Sequence, residues 1–169
     1  MKPALKYGLI NGGIAILWSL LMYITGLNRN ANAQWINILQ LAIPIALMTM
    51  AVKEYRLTTG NGWITFGKAF NQSFQVGLIG GVIGTAFYFI YISVIDPAFI
   101  DYQKTMQMDK MAENGMSEEM IEKGMQQAAF FMTPGMQVVF GLIFVLIVSS
   151  LLGLLVAAIF KKPNPEEIS

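Results

Sequence analysis

Charged residues punctuate this chain at long intervals, and the stretches between them read as apolar helices. Residues 7–28, 30–52, 69–95 and 124–160 contain no Asp, Glu, Lys or Arg. A helix that crosses a bilayer needs ~20 apolar residues, and each run can supply one. The pattern predicts spans at about 9–27, 35–52, 76–95 and 138–160. Lys2 and Lys6 open the first, and Gly26 with Asn28-Arg29-Asn30 closes it. The second ends at Lys53-Glu54-Tyr55-Arg56, the third at Asp96-Pro97 and the fourth at Lys161-Lys162-Pro163. Pro44 interrupts the hydrogen-bond ladder of the second, so a kink is expected there.

Two segments lie outside these runs. After the turn cluster Thr58-Thr59-Gly60-Asn61-Gly62, the aromatics Trp63, Phe66, Phe70 and Phe74 recur at helical spacing, with Thr65, Lys68, Gln72 and Gln75 on the other side. Aromatic side chains favour the headgroup zone, so residues 63–74 are expected to form an interfacial helix on the cytoplasmic side that leads into span three. The second segment is an outer helical insertion at 97–134. Asp96 is expected to cap its first helix with Pro97 in the first position, and Asn114-Gly115 to end it. Ser117 should cap the second helix, at 118–131, with Glu118 and Glu119 in its first turn. Met120, Ile121, Gly124, Met125, Ala128 and Met132 form an apolar stripe along it. The expected fold is therefore an all-α integral membrane protein with one four-span domain over residues 1–169.

Composition agrees with that reading. Of the 169 residues 55% are hydrophobic and only 12% charged, half the ~25% of an average soluble domain. With no Cys and no His, disulfides, thiolate or imidazole metal sites and Cys or His catalysis are excluded. Net charge +1 offers no basic footprint for nucleic acid. No phosphate loop, nucleophile elbow or metalloprotease motif is present, so no enzymatic activity and no cofactor are implied.

Loop charge orients the spans. A cytoplasmic N-terminus puts Lys2, Lys6, Lys53, Arg56, Lys68, Lys161 and Lys162 inside and leaves Arg29, Lys104, Lys110 and Lys123 outside. Basic residues favour the cytoplasmic side, so both termini are expected there. The competing reading is a cleaved secretory signal, with Lys2 and Lys6, an apolar core at 14–24 and Ala31-Asn32-Ala33 before Gln34. The first charge-free run is long enough to span, which favours an uncleaved helix.

Small residues mark the expected helix contacts. Gly8 and Gly12 lie one turn apart, as do the pairs Gly77/Gly81 and Gly80/Gly84, and Ser149, Gly153 and Ala157 continue the pattern on the last span. Such ridges permit close backbone approach in lipid. Packing within one bundle is the simpler use, with span three central, and a homodimer seam through Gly77, Gly81 and Gly84 is the alternative. No ionisable side chain lies deep in a span, which weakens an active-transport reading. Met106, Met108 and Met111 have the spacing of a thioether Cu(I) site, although methionine also serves as adaptable apolar filling. Glu118, Glu119 and Glu122 could offer oxygen ligands to a divalent cation, on spacing alone.

The stretch Gly62-Trp63-Ile64-Thr65-Phe66-Gly67-Lys68-Ala69-Phe70, then Ile95-Asp96-Pro97-Ala98-Phe99, then Gly115-Met116-Ser117-Glu118-Glu119-Met120-Ile121-Glu122 and the closing Lys161-Lys162, resembles the Domain of Unknown Function 4199 family along essentially the whole chain. The resemblance implies a small four-helix inner-membrane protein of Gram-negative bacteria with no assigned activity, and it argues against signal cleavage. The motif positions it carries over are Gly62, Phe66, Gly67, Phe70, Asp96 and Pro97. The function expected is that of a non-enzymatic accessory or scaffold subunit of an envelope complex. The bilayer, and a larger membrane or envelope protein, would be contacted through Trp63, Phe66, Lys68, Phe70, Phe74, Met120 and Met125. A small carrier for an apolar or lipid-like solute, with a pocket lined by Asn11, Gln40 or Thr85, is the alternative, and a Cu(I)-handling protein a third.

Overall fold

The computed structural model describes residues 1–30 and 36–164, without the side chains of residues 37–39. Ala31-Asn32-Ala33 and Trp35, the expected start of span two, lie outside the described residues. Six α-helices follow one another among the described residues: α1 Pro3–Ile24, α2 Ile36–Thr58, α3 Phe66–Ile90, α4 Ala98–Glu113, α5 Glu118–Ala128 and α6 Pro134–Phe160. A 3-10 turn, Leu27–Arg29, follows α1, and a π-turn, Tyr91–Ile95, extends α3. Among the described residues three helical stretches are long and apolar enough to cross a membrane: Pro3–Ile24, Phe66–Ile95 and Pro134–Phe160. α2, with 23 residues, has spanning length and stays helical through Pro44.

Several boundaries differ from the sequence expectation, each for a local reason. α1 starts at Pro3 rather than near residue 9, because proline suits the first helical position, where no N–H is needed. α6 opens four residues early on Pro134, for the same reason. No separate interfacial helix precedes span three. Trp63 lies before α3, which then runs unbroken from Phe66. Ala69, Ser73 and Val76 are fully buried, so α3 packs into the core from its first turns instead of lying flat. Asp96 lies one residue before the N-cap of α4 rather than at it. Its carboxylate accepts the Tyr91 hydroxyl at 3.0 Å, its backbone N–H closes the π-turn on Tyr91 O, and Pro97 occupies the cap position. Ser117 does cap α5, its Oγ accepting the Met120 N–H, and Gly115 (φ 78°) turns the chain after α4. α5 stops at Ala128, short of residue 131.

The chain divides into two compact units, Met1–Gly84 with Leu142–Ser169 and Thr85–Gly141. In the first, α3 is the central element. Ile79 and Ile83 seat on Gly8 and Gly12 of α1, while Gly80 and Gly84 receive Asn11 and Ala15. On another side of α3, Gly77 receives Ser149 and Met48, and Gly81 receives Val145. Gly153 of α6 packs against Phe70 and the backbone of Phe74. The glycines considered for a homodimer seam are therefore occupied by the chain's own helices. Leu47, Met48, Ala51, Val52, Val76, Val156 and Ala157 complete the core. The outward surfaces of α1 and α6 stay apolar: Leu17, Ile24, Phe144, Leu151 and Ile159 are each more than 60% exposed. A water-facing surface of that extent is untenable, and a bilayer is its natural solvent.

Gly12 tests the tightness of this packing. An added Cβ would lie 2.7 Å from Ile83 Cβ, whereas at Gly13 it would meet nothing within 4 Å. Gly12→Ala should lose about 1–3 kcal/mol of stability and Gly13→Ala should lose none, read as thermal unfolding in detergent.

Candidate functional site

Two surfaces carry the residues that could do chemistry or recognition, one in each unit. The first is a basic, aromatic rim on the unit built around α3. Asn61 (φ 47°) and Gly62 (φ 91°) turn the chain between α2 and α3, and Gly60 lies so close to Trp63 O that a side chain there would collide with it. Ile64 and Lys162 then exchange two backbone hydrogen bonds of 2.8 Å, an antiparallel bridge that ties the segment before α3 to the one after α6. Around the bridge, three ammonium groups sit over three rings. Lys162 Nζ lies 4.6 Å from the Trp63 ring centroid, Lys53 Nζ 5.2 Å from that of Phe160, and Lys161 Nζ 5.9 Å from that of Phe66. Each is within cation–π reach.

A polar latch joins α1 to α2 in the same unit. Lys6 Nζ and Tyr7 OH both donate to Glu54 Oε2, each at 2.8 Å. Glu54 lies beyond the apolar run of α2, and the bonds from Lys6 and then Tyr7 hold its carboxyl below the ordinary value of 4.5. Of the other residues expected to make contacts here, Phe66 and Lys68 are exposed, whereas Phe70 and Phe74 are partly buried and stack on each other at 5.7 Å. Gln72, expected on the polar side, is buried beside Ser73, and neither Gln72 Oε1 nor Ser73 Oγ has a hydrogen-bond partner. The aromatic spacing hides this because two of the residues that actually pack, Ala69 and Ser73, carry little apolar signal.

The second surface is in the unit Thr85–Gly141. Tyr88 OH donates to Gln137 Oε1 at 2.6 Å, Gln137 Nε2 donates to Gln103 Oε1 at 3.2 Å, and Gln103 Nε2 donates back to Tyr88 OH at 3.2 Å. This closed ring, with a further bond from Gln137 Nε2 to Met132 O, links the end of α3, α4 and the start of α6. Rings of Tyr88, Tyr91, Phe99 and Tyr102 stack or meet edge-on in sequence beside it. No sequence pattern announces the ring, since its members are ordinary polar residues 15 and 34 positions apart.

Between α4 and α5 lies an open groove of about 590 Å³ with walls of Met108, Ile121, Met125, Ala129 and Met132 and a lip of Lys104, Glu118 and Glu122. Met125 is thus in the groove, while Met120 is 54% exposed. Met106 lines a different cavity with Gln103, Gln107 and Lys110, and Met111 packs on Gly124. Among the described residues no three Asp or Glu side chains converge as metal ligands, and Glu119 is paired with Lys123 at 2.7 Å.

The chain belongs to the family described as protein of unknown function (DUF4199), whose model matches residues 6–162. No curated protein and no solved structure matches it.

The latch gives a pH signature. A carboxyl whose value is lowered by folding stabilises the fold above its unfolded value and loses that contribution as pH falls through its folded one. Wild type should therefore melt above Glu54→Gln at pH 7, and the two midpoints should converge as the pH falls below 4.5.

Proposed function

We propose that the protein is a non-enzymatic accessory or scaffold subunit of an envelope complex, held in the bacterial inner membrane by four spans with both termini cytoplasmic, and that its α4–α5 pair docks a larger protein. The observation that carries this reading is the groove between α4 and α5. Apolar methionine and isoleucine walls under a charged lip have the anatomy of an interface, with a dry centre and a polar rim. Methionine adapts its shape to a partner at little cost. The fourth span is supported by the 23-residue length of α2 and the charge-free run 30–52. Orientation is supported by the basic rim, and the inner membrane is carried over from the family resemblance.

The carrier reading has less support. The space that glycine could leave open in the bundle is filled, with Asn11 against Gly80 and Ile79 and Ile83 against Gly8 and Gly12. Thr85, another of the three polar residues expected to line a solute pocket, packs against Gly141.

A photo-crosslinking residue at position 125 should give a discrete protein adduct in native membranes, and the same residue at exposed Asp109 should not. Lipid adducts alone at position 125 would sink the docking reading. Because the chain has no Cys, single cysteines report topology cleanly. An impermeant thiol reagent applied to intact cells lacking a porous outer barrier should label Asn114→Cys and spare Asn61→Cys.

A further inference from the structure

The rim around the Ile64–Lys162 bridge holds cationic groups that the described protein leaves unneutralised. Lys53 comes from the end of α2, and Lys161 and Lys162 follow α6 directly. All three are exposed, and none of them takes part in an ion pair with another described residue, in contrast to Lys6, Lys104 and Lys123, which pair with Glu54, Asp101 and Glu119. Glu54, the acid next to Lys53 in the chain, already accepts from Lys6 and Tyr7. An ammonium over a ring uses the ring's face as a partial counter-charge while its N–H donors remain free to turn outward. Trp63, Phe66 and Phe160 thus hold three cations in place without neutralising them.

The rim's level along the helices identifies the partner. Trp63 immediately precedes α3 and Lys161 immediately follows α6, and both of these helices are long and apolar enough to cross a bilayer. Where a spanning helix ends, tryptophan and lysine meet the headgroup layer, and the ligand offered there at highest concentration is a phospholipid phosphate. Three clustered, unpaired ammoniums favour an anionic headgroup over a zwitterionic one.

We propose that Lys53, Lys161 and Lys162, pinned by Phe160, Phe66 and Trp63, form a binding site for the headgroup of an anionic phospholipid. The site rests on the spanning helices and not on what the α4–α5 groove docks, so either reading can fail without the other. Trp63 provides a local reporter. The full chain would be placed in bilayers of phosphatidylcholine with a few per cent of bromine-labelled phosphatidylglycerol, or with the same amount of bromine-labelled phosphatidylcholine. The Trp63 contribution is isolated by difference against Trp63→Phe. The labelled anionic lipid should quench Trp63 with about tenfold higher apparent association than the labelled zwitterionic one. Lys53→Gln with Lys161→Gln and Lys162→Gln should abolish that preference, and the corresponding arginine variants should keep it, with helix content by circular dichroism confirming that each folds. Equal quenching by the two lipids, or a preference that survives the glutamine variants, overturns the proposal. A preference erased by inorganic phosphate but not by chloride at equal ionic strength assigns the rim to a soluble anion and also overturns it. So does a preference that arises only in Glu166→Gln with Glu167→Gln, because the C-terminal acids would then be the rim's own partners.

Discussion

Close backbone approach along α3 is the constraint on which the larger unit depends. In lipid, burying a side chain between helices removes no apolar surface from water, so association has to come from packing and short-range contact. The sequence supplies this by placing glycine on α3 at 77, 80, 81 and 84, each opposite a side chain from another helix. The relation is reciprocal on α1, whose Gly8 and Gly12 accept Ile79 and Ile83. Large residues are thereby left to face outward, and α6 can present Phe144, Leu151 and Ile159 to the bilayer without weakening the core.

The ends of the helices obey a different logic. Outside the apolar runs, water and headgroups screen charge, and polar contacts can position chain segments without a large desolvation cost. The latch of Lys6, Tyr7 and Glu54 fixes how α1 meets α2. The Ile64–Lys162 bridge then joins two loop segments by backbone groups alone, so the positions of Trp63 and Lys162 are set by main chain and not by side-chain chance. In the unit Thr85–Gly141, the ring of Tyr88, Gln103 and Gln137 has a comparable part, and each of its members both donates and accepts within it.

The order of long apolar and short amphipathic helices was legible in the sequence, because it rests on one-dimensional patterns, charge-free length and capping chemistry, whereas the separate interfacial helix expected before span three is not formed. The Ser117 cap and the Gly115 turn belong to the same class. What escaped was set by partners distant in sequence. The aromatics at 63, 66, 70 and 74 do follow a helical period, but the buried face of α3 is drawn by Ala69, Ser73 and Val76, whose small size suits the crossing. Asp96 before Pro97 has the form of a helix cap, yet Pro97 holds the cap position and the hydroxyl of Tyr91, one π-turn back, donates to the Asp96 carboxylate. The cation–π rim required knowing that residues 53, 63 and 160–162 meet, and nothing local to any of them says so.

Three polar residues within the spans share one use. Asn11 packs on Gly80, Ser149 on Gly77 and Thr85 on Gly141. In lipid a small polar side chain opposite a glycine brings two helices close and gains a few tenths of a kcal/mol to ~1 kcal/mol where it finds a backbone partner. Three such pairs, in runs free of Asp, Glu, Lys and Arg, give these side chains a shared use in helix association. A transport path would ask for the opposite arrangement, with polar groups facing a cavity and glycine opposite empty space. The lysines over their rings and the methionines of the α4–α5 groove lie beyond the apolar runs, where they remain accessible.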